Sequence, residues 1–410
     1  MNFSYAHFSD IHIGSWRDPR MRDFATLAFV KAMDACVQRN VDFILLSGDI
    51  FNTSMPPIDK LKSVTMKLKE LSDKQIPVYI IAGSHDFSPS GKTMLDVLEN
   101  AGLVINVVKG EITEDNKLRL RFTTDPKTGA KITGMLGKKG MLDKKYYEQL
   151  DKTNLEAEQG YKIFMFHTAL SEFKPKELEQ MEAHPLSLLP KGFNYYAGGH
   201  VHYIFQKDQE GYGWITYPGA LFPCNFKELE EFGSGGGYFV SVNEGKTTWE
   251  HVMMPVIETC NISIDAQYKT PQQVEQELLD VLKANEVFKK IVLMRLKGKL
   301  SSGKLNDIDF GAVFSSLYER GAHFVMKNTN KVLGQEFSEV KTATQKPEEI
   351  EDAVIQEHLG QIKISVQDEK ALTKQLLKIL STEKFEGETN ATFETRVKDE
   401  IGKVVKEYQR

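Results

Sequence analysis

The chain has 410 residues, a hydrophobic share of 41% and a formal net charge of −5. That length is too great for one ordinary domain and suits two or three, each with a normal core. The acidic balance excludes a protein that binds nucleic acid through its overall charge, so any such contact must be local.

In chain order, short β-like runs each end in acidic or imidazole residues. Phe3 to Phe8 leads into Asp10-Ile11-His12, and Phe43 to Leu46 into Gly48-Asp49. Val78 to Ala82 leads into Gly83-Ser84-His85-Asp86. Ile163 to Phe166 precedes His167, and Tyr195 to Ala197 precedes Gly199-His200-Val201-His202. Helical spacing is predicted between them, over Phe24 to Arg39 and Ile58 to Lys74. After Gly199 the pattern changes to short strands with glycine turns, at Gly211-Tyr212-Gly213 and in a loop over Gly233–Gly237. Tyr217-Pro218-Gly219-Ala220 reads first as a structural turn and second as a backbone contact to phosphate.

Groups that recur at strand ends converge on one rim of a sheet. Carboxylate and imidazole together suit divalent transition ions. Two such ions about 3.5–4 Å apart form a clamp for in-line displacement at phosphorus. In a strand, residues two apart point the same way, so Asp10 and His12 are expected to grip one ion together. His200 and His202 repeat that spacing. Asp49, after a glycine that permits close backbone approach, has two oxygens and can bridge two ions.

The order D-x-H, G-D, G-S-H-D, H, G-H-x-H resembles the calcineurin-like metallophosphoesterase superfamily. The motifs cover residues 4 to about 203, and the implied fold runs to about 255. The resemblance implies one ion on Asp10, His12, Asp49 and His202, and a second on Asp49, Ser84, His167 and His200. A bridging water or hydroxide would attack phosphorus, with His85 as electrostatic stabiliser or general acid. Asp86 has two readings of equal weight, orienting His85 or capping the following turn.

Two positions depart from the pattern. The family usually has asparagine at position 84. Either Ser84 reaches its ion through a water, or the second metal site is weaker. At position 52 the nuclease relatives place a histidine. Asn52 retains a hydrogen-bonding, substrate-positioning role but cannot carry a proton at neutral pH. Of the other histidines, His7 reads as core or as support behind the site. His184, His251, His323 and His358 are poor ligand candidates. Lys138, Lys139, Lys144 and Lys145, beside Tyr146 and Tyr147, form the clearest basic patch. A solvated loop is its first reading, and DNA contact its second.

Beyond residue 255 the composition changes. A strand is predicted over Ile262 to Ile264, a helix from Pro271 through Ala284 and a strand over Ile291 to Leu296. A helix over Asp309 to Arg320 and a strand over Phe324 to Met326 follow. Val340 to Pro347 reads as a linker. Amphipathic helices over Glu369 to Leu380 and Phe393 to Tyr408 come after it, and each needs something to cover its apolar stripe. That cover is the body of the chain or, by preference, a partner. The expected fold is thus α/β: a four-layer metallophosphoesterase sandwich of two mixed sheets flanked by helices. A small α+β capping domain and a C-terminal helical tail are appended. The domains are 1–255, 256–340, a 341–347 linker and 348–410.

This layout, with Phe8–Gly14 and Gly48–Phe51, resembles the Mre11/SbcD nucleases of DNA-break repair, and its length and domain order look archaeal. The resemblance implies two Mn²⁺ ions, with Mg²⁺, Fe²⁺ or Co²⁺ as substitutes. It also implies 3′–5′ double-strand exonuclease and single-strand or hairpin endonuclease activity. Its partners would be DNA, a second copy docked through helices between Pro57 and Met94, and a Rad50/SbcC-type ATPase held by the tail. The competing readings are a catalytically weak scaffold that binds DNA ends and the ATPase, and a phosphodiesterase for a small molecule or cyclic nucleotide. Cys36, Cys224 and Cys260 lack C-x-x-C spacing and fit buried thiols in a reducing compartment. No apolar run approaches the ~18 residues of a membrane span, and no signal peptide is read. A soluble, cytoplasmic, nucleoid-associated protein is therefore expected.

Overall fold

A computed structural model describes residues 2–87, 93–333, 355, 366–382 and 390–408. The chain forms two compact units. One comprises Met1–Ser263, Leu278–Arg295 and Phe310–Asn328, and the other Ile264–Glu277, Leu296–Asp309 and Thr329–Arg410.

In the first unit, two six-stranded sheets carry the architecture. One runs in the order Lys246–Met253, Gly236–Asn243, Asn2–Phe8, Phe43–Ser47, Val78–Ile81, Ile105–Asn106. The other runs Phe205–Gln209, Gly213–Tyr217, Tyr195–Gly199, Lys162–His167, Lys131–Gly134, Thr123–Thr124. Both are mixed. Asn2–Phe8, Phe43–Ser47 and Val78–Ile81 pair in parallel, as do Lys162–His167, Tyr195–Gly199 and Gly213–Tyr217, while antiparallel strands are added at the sheet margins.

The layers follow from strand alternation. Tyr5, Phe43, Leu45 and Tyr79 of the first sheet share one buried cluster with Ile163, Met165 and Tyr195 of the second. The alternate residues Ala6, Phe8, Ile44, Leu46 and Ile80 pack on Phe29, Val64, Leu68 and Leu95 of the helices Phe24–Gln38, Ile58–Asp73 and Met94–Asn100. On the far side, Phe164, Phe166, Tyr196 and Ile215 pack on Tyr147 and Leu155 of two short helices. The central strands are apolar on both faces, which is why they read as continuous runs. The result is the expected four-layer sandwich of two mixed sheets flanked by helices.

Glycine turns depart from expectation at one place. The loop predicted over Gly233–Gly237 ends early, because Gly236 and Gly237 already belong to the strand Gly236–Asn243. A Cβ on Gly237 would lie 2.2 Å from the Phe8 ring, so glycine there admits that ring rather than making a turn. Among the cysteines only Cys36 is buried, while Cys224 and Cys260 are half-buried.

The strands Thr259–Asp265, Ile291–Lys299 and Phe324–Leu333 form a three-stranded sheet in that order. The predicted helices beside them appear as Pro271–Ala284 and Phe310–Glu319. In the second unit, Val366–Leu380 and Asn390–Tyr408 pack on each other. Leu372 is buried, and Phe393, Val397 and Ile401 are half-buried on one helical face. The Val340 to Pro347 linker and His358 lie outside the described residues. No helix among the described residues is long and apolar enough to cross a membrane.

His7 is fully buried between the sheets. Its Nδ1 lies 3.1 Å from the Tyr195 hydroxyl, and burial lowers its pKa to about 3. The unfolded chain takes up a proton near pH 6.5 that the folded chain refuses, so stability should fall as pH drops from 6.5 toward 3. Between pH 7 and pH 5 this one group should remove about 2 kcal/mol. Denaturant titrations at both pH values should show a pH loss smaller by that amount in His7→Gln. Equal losses in the two proteins would show that His7 titrates alike in both states.

Candidate metal centre

Five strands of the two sheets end on this site, each at its carboxyl end, where ligands gather in parallel sheets. The residues after those ends do not continue the strands. Asp10, His12, Asp49 and His200 have φ of 50°, 48°, 50° and 86°. Each sits in the left-handed region, at a cost of roughly 1–3 kcal/mol. This corrects the expectation from spacing. Asp10 with His12, and His200 with His202, converge through tight left-handed turns and not through the two-residue period of a strand. Asp and His tolerate that region better than most residues.

Close backbone approach completes the turns. A Cβ on Gly48 (φ 87°) would lie 2.3 Å from His167 Nδ1, and one on Gly83 would lie 2.3 Å from the Asp49 amide nitrogen. No residue but glycine fits where these two loops meet.

Ligating atoms of Asp10, His12 and His202 lie within 4.8 Å of one another, as do those of Asp49, His167 and His200 and those of His12, Asp49 and His85. His12 Nε2 is 3.9 Å from Asp10 Oδ1 and 3.8 Å from Asp49 Oδ2. His167 Nε2 is 3.1 Å from Asp49 Oδ2 and 3.9 Å from Asp10 Oδ1. Ser84 Oγ donates to Asp49 Oδ2 at 3.3 Å. All seven expected ligand positions thus meet in one place.

The outer edge of each ring is held. His167 Nδ1 donates to the Ser47 carbonyl at 2.7 Å, His85 Nδ1 to the Asn52 carbonyl at 2.9 Å, and His202 Nδ1 to Glu228 Oε1 at 2.9 Å. A carbonyl or carboxylate only accepts, so Nδ1 carries a proton in each ring and Nε2 is the atom turned inward. His12 Nε2 and His202 Nε2 face each other at 3.1 Å. His167 Nε2 is buried with no hydrogen bond despite its nearness to Asp49. Lone pairs and carboxylates converging in a buried pocket fit divalent cations.

The electrostatics agree. Burial lowers the pKa of His12 to about 3 and of His200 to about 4, which leaves both rings neutral, as ligands must be. Burial also opposes charge on His167, but Asp49, Asp10 and the Ser47 carbonyl outweigh it and lift its pKa to about 10. His202 is raised as well, against burial, by Glu228 and Asp10. Without ions, protons on these two rings balance the buried carboxylates.

Asp86 is accounted for by its turn. It accepts from the amides of Gly83 (2.9 Å) and Phe51 (3.1 Å), tying the Asp49 and His85 loops together. Burial, then the charge of Asp49, pushes its pKa up to about 7. Among the described residues these bonds reach neither the His85 ring nor the turn that follows Asp86, so neither of its two readings is the one seen. Asn52 supports His85 through its backbone carbonyl. Lys138 and Lys139 line a cavity of about 260 Å³ together with Ser84, His85, His167 and His200. Lys138 Nζ lies 5.0 Å from the Tyr146 ring and bonds its hydroxyl at 3.1 Å. These two lysines therefore stand at the site's rim, while Lys139, Lys144 and Lys145 are exposed, as in the first reading of a solvated patch.

His7 and His184 are structural. His184 Nε2 pairs with Asp143 Oδ2 at 3.1 Å in full burial. The Tyr217–Ala220 turn packs against the site, where Ser9 bridges Ala220 and the Leu221 amide donates to the Asp10 carbonyl at 3.3 Å.

Residues 3–203 match the calcineurin-like phosphoesterase family. These residues form a calcineurin-like phosphoesterase domain. It is 25% identical over 70% of its length to a DNA double-strand break repair protein Mre11 of Methanococcus maripaludis, covering 76% of that protein. It is 26% identical over 55% of its length to the Mre11 of Archaeoglobus fulgidus, covering 52% of it. It is 25% identical over 71% of its length to that of Sulfolobus acidocaldarius, covering 74% of it. The phosphoesterase is a metal-dependent phosphodiesterase with a dinuclear site. When bound, two divalent ions supply Lewis acidity toward phosphoryl oxygen and acidify water toward neutral pH.

Sequence reasoning missed Glu228. Its only local signal, Asn225 three residues before it, reads as a helix cap, and Asn225 Oδ1 does accept from the Glu228 amide at 3.0 Å. The Glu228 carboxylate is instead spent on His202 and on the Cys224 amide at 2.8 Å. Glu228→Ala should weaken binding of Mn²⁺ by roughly 10–100-fold, read by competition with a chelating indicator, and Glu228→Gln should restore most of it. Unchanged affinity in the alanine variant would remove Glu228 from the site.

Proposed function

We propose that this phosphoesterase is a Mn-dependent DNA nuclease of double-strand break repair. In this reading it is a 3′–5′ exonuclease on duplexes and an endonuclease on single strands and hairpins. The observation that carries the reading is the joining of His85 to Lys138 and Lys139 in one cavity over the metal-ligating cluster. Cations set beside a phosphoester site suit a polyanion, whose neighbouring phosphates must be held while one is cut. The role of the relatives, DNA double-strand break repair, supports the same substrate.

In this reading Asp10, His12, Asp49 and His202 hold one ion, and Asp49, Ser84, His167 and His200 the other. The Ser84 hydroxyl, which bonds Asp49, acts on the bridging carboxylate as much as on the ion. His85, oriented by Asn52, turns its Nε2 toward the phosphate and stabilises or protonates the leaving oxygen. Asn52 positions rather than titrates. The protein works in the cytoplasm at the nucleoid, on its DNA.

A second copy fits the face around helix Ile58–Asp73, where Met55, Ile58 and Met66 are 75%, 84% and 64% exposed. The segments after residue 255 take no part in the metal cluster in this reading. Residues 256–340 cap and orient DNA, 341–347 link, and 348–410 hold a Rad50/SbcC-type ATPase. Exposed Leu377 and Leu380 on helix Val366–Leu380 support a partner there.

Two experiments test these statements. On end-labelled duplex and hairpin DNA, cutting should require Mn²⁺, vanish with chelator and fall by roughly 10²-fold or more in His85→Gln. No cutting by folded, Mn-loaded protein would overturn the nuclease reading. A chain ending at Lys346 should keep nuclease activity and lose capture of the ATPase. Retained capture would place the ATPase contact elsewhere.

A further inference from the structure

The two flanks of the metal-ligating cluster differ in chemistry. On the His85 side, the cavity is charged, with Lys138 and Lys139 beside Asp143 and Glu182. On the other side, His200 and His202 form the inner end of a larger cavity of about 540 Å³, whose walls include Leu178, Met181, Tyr203 and Phe232. Asn225, Lys227, Glu228 and Glu231 supply its other polar groups. Such a volume, mostly apolar with a few polar groups, is typical of a small-molecule subsite.

We propose that this second cavity is the subsite for the nucleobase adjoining the scissile phosphodiester, an inference that rests on the nuclease reading above. A nucleotide is charged at its phosphate and flat and π-faced at its base, and only one sugar separates the two. A base subsite must therefore share walls with the phosphoester site, as this cavity does through His200 and His202. The rings of Tyr203 and Phe232 offer stacking surfaces that accept any base, and Leu178 and Met181 give apolar contact. The Tyr203 ring is held in advance, since its hydroxyl donates to the Phe173 carbonyl at 3.3 Å. Phe232 ends the helix Phe226–Phe232, which also carries Glu228, the residue that orients His202. One short helix thus joins the base wall to the metal ligand.

The test is calorimetric titration of the full Mn-loaded chain with thymidine 5′- and 3′-monophosphate and with deoxyribose 5-phosphate, which lacks a base. At least one thymidine monophosphate should bind roughly 5–100-fold more tightly than the sugar phosphate. In Phe232→Ala that ratio should fall toward one, and Phe232→Trp should restore it. Equal affinities in the unaltered protein would overturn the subsite, as would a ratio unchanged in both Phe232→Ala and Tyr203→Ala. Because binding is read without DNA cleavage, either result is separable from failure of the nuclease reading, which the cutting assay decides.

Discussion

Two buried carboxylates, Asp10 and Asp49, are the constraint on which the structure depends. They are 0% and 2% exposed and lie at the meeting of two sheets, where an uncompensated charge is expensive. The surrounding structure answers that charge. The amides of His200 and His85 donate to Asp10 and Asp49, at 3.0 Å and 2.7 Å. Ser9 and Ser84 hydroxyls add to them at 2.6 Å and 3.3 Å. The remaining need is met by cations, and four imidazoles stand around the carboxylates to share them. Left-handed turns and glycines that would be costly elsewhere are tolerated because this convergence requires them.

The ring orientations form a second tier. His167, His85 and His202 are each fixed by an acceptor on the side away from the site, two of them backbone carbonyls. Backbone acceptors make the arrangement insensitive to the side chain that bears them. This explains why Asn52 is compatible with a positioned His85: the support comes from its carbonyl. Asp86 contributes in the same indirect way, by tying two loops whose tips carry Asp49 and His85.

The flanks of the site then divide the work of holding a substrate. Lysines lie on the side of His85, and aromatic and aliphatic residues on the side of His202. Charge attracts and aligns a phosphate chain without regard to sequence, whereas stacking holds a base without reading its edge. Together they suit the proposed action at DNA ends and breaks, where the sequence to be cut is not fixed.

Much of this was legible in the chain. Strands buried on both faces are apolar throughout, so Phe43–Ser47, Lys162–His167 and Tyr195–Gly199 stood out within a residue or two, and the motifs at their ends marked the ligand set. Helices such as Pro271–Ala284 were equally plain from their period and their opening proline. Local pattern and chemistry were therefore enough to say which residues sit at strand ends. How those residues meet was left to the packing of the two sheets. Left-handed φ at Asp10 and His200, the carbonyls of Ser47 and Asn52 behind the rings, Glu228 on a helix 26 residues from His202, and Lys138 beside His85 all arise from contacts between distant segments. Such contacts leave no local period, since the backbone preferences of neighbouring residues play no part in setting them.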